Sequence, residues 1–380
     1  MSRVAAAVFW LSAVLLVWTQ ALYGPFLALL RRSGAGRQAS APAGAQPPQV
    51  TLIVAAYREQ DVIAAKVANA LALDWSRDRL ELIVAVDGGA EPDADATAER
   101  ARAAGADQVL ALPRGGKVRA QDAAVRAARG DLLAFSDANA SWEPDALTRL
   151  AAAFADPEVG YACGQVRFVS DAGTNQEGVY WRYELWLRAQ ESALASVTAG
   201  NGAIYAVRRD AYVEVDPVMG HDLSFPFLMV KRGRRAVYVP EARATEKMVP
   251  TIEGEWRRKR RMMSHAWPIV LRGGLLSPRG YGPLYGLMIV SHRVLRYATP
   301  ALHALIVAAA LPLARRPVYR AALAAHAALV AAALAGGSVR SRPLLLARYY
   351  VLTTASLAAG LYDHLRHGTP AGWDAPEGTR

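Results

Sequence analysis

The stretch from Gly130 to Trp142, GDLLAFSDANASW, constrains the fold more than any other part of the chain. An apolar run, Leu132 to Phe135, leads directly to Asp137 and Asn139, and a helix start follows at residues 143–144. Such a run is typical of a strand buried on both faces of a parallel sheet. The carboxyl edge of such a sheet binds ligands, and an acid and an amide there suit a divalent ion shared with phosphates. The simpler alternative is a strand that ends in an Asx-turn.

Strands and helices alternate around this stretch. A second strand-like run, LELIVAVDGG, also ends in an acid, Asp87. The alternation predicts an α/β fold with a mostly parallel, doubly wound sheet, in which Asp87 and Asp137 meet at one edge. That convergence favours a binding site over a turn. Further strands are expected at 50–56, 108–112, 203–207 and 236–239, a strand pair near 160–169, and helices at 60–73, 95–104, 117–129, around 178–195 and from about 222.

Composition narrows the classes of partner. The net charge of +11 is compatible with anionic lipids or phosphorylated substrates. No basic-aromatic motif of a nucleic-acid-binding module is present, so a nucleic acid partner is not expected. The single cysteine, Cys163, rules out a disulfide framework and a cysteine-rich metal site.

Apolar residues concentrate at the two ends of the chain. Val4 to Leu30 carries no charge and is long enough to cross a bilayer, and it is too long for the apolar region of a signal peptide. Arg31, Arg32 and Arg37 follow it, which predicts that the next segment is cytoplasmic. Three further apolar stretches lie at 298–313, 319–334 and 344–361. A soluble helical hairpin is the alternative for these.

These patterns divide the chain into six parts. A small-residue and proline linker separates the first apolar helix from the α/β domain, and a basic run leads to the last helices. The expected parts are a transmembrane helix at 1–32, the linker at 33–48, the α/β domain at 49–272, an interfacial helix region at 273–297, about three transmembrane helices at 298–362 and a tail at 363–380.

An ordered set of motifs carries a family resemblance. The order is VAAYREQDVI, VDGG with DADAT, GGK, SDAN, AGNGAIYAVRR and HDLSFP, followed by basic residues and apolar stretches. This set resembles the membrane-bound family-2 glycosyltransferases with a GT-A catalytic domain, and it is most similar to the bacterial synthases of cellulose, hyaluronan and poly-N-acetylglucosamine. The resemblance covers roughly residues 50–296.

The resemblance implies an activity and a location. The expected reaction is inverting transfer of a hexosyl or N-acetylhexosaminyl group from a nucleotide-diphosphate sugar to a lipid-linked or polysaccharide acceptor, in exopolysaccharide or cell-envelope glycan biosynthesis. The protein would lie in the bacterial cytoplasmic membrane with its catalytic domain in the cytoplasm. Membrane lipids and other polysaccharide assembly proteins are the further expected partners.

The resemblance also assigns the donor side. Ala55 and Arg58 depart from the usual Pro and Asn of the family, so the contacts to the nucleotide base are expected to differ. Asp95 matches the second acid of the loop after Asp87, and capping of the following helix is an equal alternative. The implied donor-binding residues are Tyr57, Glu59, Asp87, Lys117, Asp137 and Arg261, and Mg²⁺ or Mn²⁺ would be held by Asp137 and Asn139.

On the acceptor side, the resemblance makes Asp222 the general base, with His221 in place of the usual first acid. A purely capping role for Asp222 is the alternative. Met262 stands where polymer synthases have a tryptophan, which favours single transfer over processive synthesis. The basic run RRKRR at 257–261 could instead bind anionic lipids. The other implied acceptor-side residues are Gly200, Asn201 and Gly202.

Two other function classes stay open. A sugar-phosphate nucleotidyltransferase uses a related sheet with similar aspartates, but the apolar stretches and Asp222 argue against it. A non-catalytic scaffold in a polysaccharide assembly or export complex is motivated by the departures from the family pattern at Ala55, Arg58, Asn139, His221 and Met262.

Overall fold

Eight strands form one sheet in the order β3-β2-β1-β4-β7-β6-β8-β5. The computed structural model describes residues 2–35, 47–169, 178–247, 252–339 and 341–372. β1 to β4 are parallel, β7 is antiparallel to both its neighbours, and β6 is parallel to β8. The strands are β1 (Val50–Ala56), β2 (Leu80–Asp87), β3 (Gln108–Leu112), β4 (Leu132–Asp137), β5 (Ser141–Trp142), β6 (Val159–Val169), β7 (Ile204–Arg208) and β8 (Arg235–Lys247).

Helices cover both faces of this sheet and extend beyond it at both ends of the chain. Of the predicted α/β helices, those at 60–73, 95–104 and 117–129 form with somewhat shorter bounds. The helices are α1 (Ser2–Val17), α2 (Tyr23–Leu30), α3 (Ile63–Leu71), α4 (Thr97–Ala103), α5 (Lys117–Ala127), α6 (Ala146–Ala152), α7 (Gly178–Leu194), α8 (His221–Lys231), α9 (Ile252–Leu271), α10 (Pro283–Met288), α11 (Leu295–Tyr297), α12 (Thr299–Ala310), α13 (Pro317–Ala335) and α14 (Arg342–His367).

The core consists of two apolar layers, one on each face of the sheet. Alternate residues of the strands point to opposite faces, so Leu52 and Val54 pack with α3, while Ile53 and Phe135 pack with α5 and α8. Because both faces are covered, β1 and β4 are almost continuously apolar. The chain runs from β1 to β3 on one side and returns to β4 on the other side of β1, which places a topological switch point between β1 and β4.

Two strand predictions were wrong in extent. The strand pair expected near 160–169 is the single strand β6, which pairs with β7 on one side and β8 on the other. The strand expected at 236–239 is β8, which continues to Lys247 because its second half pairs with the end of β6. Local sequence does not reveal this extension, since β8 contains Pro240 and several charged residues.

Three helices are long and apolar enough to cross a membrane: residues 2–34, α13 and α14. A fourth candidate is the pair formed by residues 283–297 and 299–313, which meet at an angle of 65°. The C-terminal helix continues to His367, so the predicted tail at 363–380 begins five residues too early. The predicted linker at 33–48 lies largely outside the described residues.

The segment from Pro283 to Tyr297 is helical as predicted, with a π-helical stretch between α10 and α11. Several aromatic and basic side chains of this segment, whose types would suit a membrane interface, face the protein instead. Tyr285, His292 and Arg296 are buried, because this segment packs against α7 and the residues that follow α7.

Candidate active site

All twelve predicted site residues line one cavity of about 470 Å³. The cavity opens at the carboxyl ends of β1, β2 and β4 and continues between α7, α8 and α9. Strand ends supply its first half, as expected at a switch point of an α/β sheet. Residues far away in sequence supply the second half. The twelve are Tyr57, Glu59, Asp87, Lys117, Asp137, Asn139, Gly200, Asn201, Gly202, Asp222, Arg261 and Met262.

The end of β4 brings together an acid and a lysine. Asp137 lies beside the last residues of β1, and Lys117, the first residue of α5, forms an ion pair with its carboxylate. Burial opposes the charge on Lys117, but Asp137 holds the pKa of its ammonium group above the usual value. A backbone turn does follow the strand, since the Ala140 N–H donates to the Asp137 carbonyl at 3.2 Å. The Asp137 side chain pairs with Lys117 and lines the cavity, which a turn alone does not require.

The end of β2 is tied to the loop before α5. The Asp87 carboxylate accepts hydrogen bonds from the backbone N–H groups of Gly115 (2.6 Å) and Gly116 (3.0 Å) and forms an ion pair with Arg114. The guanidinium carbon of Arg114 lies 3.3 Å from the centre of the Tyr57 ring. A nucleotide base on Tyr57 would therefore share that ring face with Arg114 or displace it. Asp95 is not the N-cap of α4, which is Ala96, but its carboxylate accepts from the Thr97 N–H at 3.1 Å and so contacts the start of that helix.

The predicted acceptor loop lies beside the lysine and the acid at the end of β4. A Cβ atom at Gly202 would lie 3.3 Å from Lys117 Nζ, so this glycine faces the strand-end half. A Cβ atom at Gly200 would lie 1.9 Å from Tyr161 Oη, so core packing alone requires glycine there. Asn201 fixes the loop, since its amide donates to the Gly164 carbonyl (2.6 Å) and accepts from the Ile204 N–H (2.9 Å).

Asp222 lies in the first turn of α8 and lines the same cavity. The alternative of helix capping is wrong: the N-cap is Gly220, α8 has no side-chain cap hydrogen bond, and within the described residues the Asp222 carboxylate accepts no hydrogen bond. The carboxylate is thus available in the cavity. The Asp222 backbone carbonyl accepts from the Gly200 N–H at 2.7 Å, which couples the acid to the loop.

His221 is buried behind Asp222 and does not cap the helix. Its Nδ1 lies 2.7 Å from the Tyr205 hydroxyl, and its ring stacks on Phe225 with centroids 4.1 Å apart. Burial, aided by the charge of Lys117, lowers the pKa of His221 to about 3. The ring is therefore neutral near pH 7, at the position where the resemblance implies the first acid of a pair.

The basic run lies on α9, and most of it faces the protein. Arg258 forms a two-bonded ion pair with Glu255 (2.7 and 2.8 Å), and Arg260 does so with Asp363 of α14 (2.6 and 2.7 Å). Arg261 and Met262 line the cavity as predicted. These pairings weaken the alternative that the run as a whole binds lipid headgroups.

Two charged residues near Asp137, one buried and one partly buried, were missed by sequence reasoning. Lys66 of α3 donates to the Ala140 carbonyl at 2.8 Å, and burial lowers its pKa to about 7. Glu246 of β8 lines the cavity, and burial together with the charge of Asp137 raises its pKa to about 7. A helix lysine among alanines and an acid in an alternating strand carry no distinctive motif, so only the packing reveals them.

The donor atoms at the end of β4 fit a divalent ion that is shared with a substrate. The described residues contain no cluster of three or more His, Cys, Asp or Glu side chains able to hold a metal. Asp137 and Asn139 supply two oxygens from one turn, and Mg²⁺ is typically bound by one or two carboxylates together with substrate phosphates. A bound ion would share Asp137 with Lys117.

Comparison with known proteins identifies the class. Residues 47–264 match the family model described as glycosyltransferase-like family 2. An N-acetylglucosaminyltransferase of Mesorhizobium japonicum is 30% identical over 241 residues, covering 57% of this chain and 55% of that protein. One of Rhizobium leguminosarum bv. viciae is 28% identical over 231 residues, covering 56% and 54%. The chain thus spans about half the length of the curated relatives it matches.

A solved structure matches over nearly the whole chain. It is a mannosyltransferase from Pyrobaculum calidifontis in complex with GDP-Man and Mn²⁺, with a TM-score of 0.72 and 22% identity, covering 96% of this chain and 99% of that one. At this level of identity the match shows a common fold. The predicted GT-A fold is confirmed, and the chain belongs to the family-2 glycosyltransferases.

Proposed function

We propose that this protein transfers a hexosyl or N-acetylhexosaminyl group, with inversion, from a nucleotide-diphosphate sugar to a lipid-linked or polysaccharide acceptor at the cytoplasmic face of a bacterial membrane. The observation that carries the proposal is the single cavity, which the strand-end residues, the loop at 200–202 and Asp222 line together. The bacterial N-acetylglucosaminyltransferase relatives support an N-acetylhexosamine as the sugar.

The strand-end half would bind the donor. Tyr57, Glu59 and Asp87 would surround the nucleoside, and Lys117 and Arg261 would contact the diphosphate. Asp137 and Asn139 would hold Mg²⁺ or Mn²⁺, which neutralises charge on the departing diphosphate. Gly116 has a φ of 94°, which only glycine adopts easily, and its N–H and that of Gly115 are held by Asp87, so this loop fixes the position of Lys117 toward the diphosphate.

The half beyond the loop would bind the acceptor. Asp222 would take the proton of the acceptor hydroxyl as its oxygen bonds to the anomeric carbon. The bond from that carbon to the diphosphate breaks on the opposite face, and the nucleoside diphosphate leaves with the electron pair. Neutral His221 places no second negative charge beside the base. Met262 favours transfer of a single sugar, and the length of the product tests this point.

The test is the release of nucleoside diphosphate by detergent-purified protein. UDP-GlcNAc, UDP-Glc and GDP-Man would be compared with and without Mg²⁺ or Mn²⁺, with lipid-linked and oligosaccharide acceptors. We expect metal-dependent release from one donor. Asp137→Asn should abolish it, and Asp222→Asn should lower kcat by about 10²- to 10⁴-fold while donor binding persists.

Asp131→Asn is the matched control, because Asp131 is exposed and lies directly before the same strand as Asp137. It should retain wild-type release. Full activity of Asp137→Asn would contradict the proposal, and donor binding with no release under any condition would favour a non-catalytic scaffold.

A further inference from the structure

One buried arginine in the cavity lacks a counter-ion. Three arginines among the described residues are about nine-tenths buried: Arg188, Arg235 and Arg296. Arg235 pairs with Asp156 at 3.0 Å, and Arg296 pairs with an acid of α7. Arg188 forms no ion pair with any described acid. An unpaired buried charge is costly, so it calls for an anion from outside the chain.

The guanidinium group of Arg188 has an unused donor. Its Nη2 donates to the Gly200 carbonyl at 3.1 Å, and the group lies 5.5 Å from the centre of the Tyr238 ring. Its Nη1 is buried without a hydrogen-bond partner, and the residue lines the cavity. Glu184, one turn earlier on α7, cannot serve as counter-ion because it is held by Arg296 and by His292 at 3.1 Å.

The position of Arg188 assigns it to the acceptor half. Gly202 faces Lys117 and the strand ends, whereas Gly200 bonds to Arg188 through its carbonyl and to Asp222 through its N–H. Arg188 and the first turn of α8, which carries Asp222, therefore both contact the same loop residue. An anion bound there would be part of the acceptor and not the diphosphate of the donor.

A second arginine connects this half to the membrane-proximal helices. Arg293 lines the cavity and donates from Nε to Thr198 Oγ1 at 2.9 Å, two residues before Gly200. Tyr297 lines the cavity too and lies two residues before α12, part of a candidate membrane span. Guanidinium groups bind phosphate through paired N–H donors. An acceptor bound here would contact a phosphate-binding group and would lie next to a candidate membrane span.

We propose that Arg188, with Arg293, binds the phosphate of a lipid acceptor, so that the acceptor is a phosphate-bearing lipid and not a neutral glycan. The proposal rests on the proposed function for the role of the cavity. Its test measures binding without turnover, so that the two can fail separately.

The experiment measures Kd in detergent micelles for a polyprenyl phosphate, the matching uncharged polyprenol, inorganic phosphate and UDP. Wild-type protein, Arg188→Gln, Arg188→Lys and the control Arg182→Gln would be compared; Arg182 is exposed on the same helix. We expect the wild type and Arg182→Gln to bind polyprenyl phosphate at least tenfold more tightly than polyprenol. The Kd of Arg188→Gln for polyprenyl phosphate should rise about tenfold while its Kd for UDP stays unchanged. Arg188→Lys should show a smaller rise.

Thermal unfolding supplies a second readout. Polyprenyl phosphate should raise the unfolding temperature of the wild type and not that of Arg188→Gln, and this comparison also shows whether the variant is folded. Equal binding of polyprenol and polyprenyl phosphate by the wild type would overturn the proposal. So would an unchanged lipid Kd in Arg188→Gln, a selective loss of UDP affinity, or inorganic phosphate binding as tight as that of the lipid.

Discussion

At the scale of single residues, charged groups in this cavity are tuned by close neighbours. Asp137 is paired with Lys117, and Asp87 is held by two backbone N–H groups and Arg114, while Asp222 accepts no hydrogen bond within the described residues. A carboxylate that is already held positions neighbouring groups, and one that is left open can accept a proton. This contrast supports the different roles proposed for the three acids.

His221 should make the protein acid-sensitive. Its pKa is about 3 in the folded state and near 6.5 when unfolded, so the unfolded chain binds one more proton between these values. Stability from this group is complete above pH 6.5 and is lost on acidification toward pH 3, by up to about 1.4 kcal/mol per pH unit. His221→Gln should therefore show a shallower fall of unfolding temperature between pH 6.5 and 4.

Unfolding temperatures of wild type, His221→Gln and the exposed-site control His367→Gln in detergent between pH 4 and 8 provide the measurement. The control should follow the wild-type curve. Parallel curves for wild type and His221→Gln would show that another group causes the acid sensitivity.

At the scale of elements, α7 connects the N-terminal helix, the interfacial segment and the acceptor loop. Glu191 of α7 is fully buried and accepts hydrogen bonds from Tyr23 of α2 (2.7 Å) and from the N–H and hydroxyl of Thr198 (3.2 and 2.9 Å). His292 Nδ1 lies 2.7 Å from the same carboxylate. One side chain thus ties three segments of the chain together next to the loop at 200–202.

Glu191→Gln should destabilise this junction. In the variant, the NH₂ group of the glutamine amide would face donors that bond to a carboxylate oxygen in the wild type. We therefore expect a loss of about 1–3 kcal/mol in the free energy of unfolding. Because Thr198 leads into the acceptor loop, KM for the acceptor should rise more than KM for the donor.

Glu214→Gln is the matched control, since Glu214 is exposed and forms a surface ion pair with Arg126. Thermal unfolding and steady-state kinetics of both variants check the prediction. A Glu191→Gln variant as stable as the control would mean that the junction is held by apolar packing alone.

At the scale of the whole molecule, α14 packs on the catalytic domain. Trp267 of α9 donates to the Leu357 carbonyl at 3.0 Å, and Asp363 pairs with Arg260 of α9. After α14 ends, Thr369 donates to the Ser264 carbonyl at 2.9 Å, and Ala371 reaches the cavity. Length and composition allow α14 to cross a membrane, but these contacts favour a helix whose C-terminal end stays on the side of the catalytic domain.

Thiol labelling from each side of the membrane can test this topology, because the single native cysteine, Cys163, is fully buried. If α12 and α13 cross and α14 does not, Ser338→Cys and Arg366→Cys should react from the side of the catalytic domain and Arg315→Cys from the other. Labelling of Arg366→Cys only from the side of Arg315→Cys would show that α14 crosses.

The segment after α14 should compete with the donor. A Cβ atom at Gly116 would lie 2.1 Å from the Ala371 carbonyl oxygen, so residue 371 lies against the loop proposed to hold the diphosphate. Deletion of residues 369–380 should lower the Kd for a nucleoside diphosphate about threefold or more, because the segment would no longer occupy part of the donor site in a fraction of the molecules. Thr369→Val, which keeps the segment but removes its bond to Ser264, should have a smaller effect in the same direction.

Calorimetric titration with UDP measures both variants. An unchanged or higher Kd after the deletion would mean that the segment contributes to the donor site and does not compete with it.

The sequence alone determined the local features of this protein. Apolar runs fix β1, β2 and β4, and the acids that end β2 and β4 fall at one edge because neighbouring parallel strands end together. Gly116 before Lys117 marks the start of α5. These features depend on residues close in the chain, whose spacing directly reflects the period of a strand or helix.

Only the tertiary structure decided which distant side chains share an environment. Arg188, Glu246 and Arg293 join the cavity from α7, β8 and the segment before α12, and none of them lies in a motif. Tyr285 and His292 have the composition of interface residues, yet packing buries them. Burial and ion pairing depend on contacts between segments far apart in the chain, and local periodicity carries no information about them. The positions of the strand-end acids were therefore readable from the sequence, whereas the surroundings of the acceptor half were set by packing.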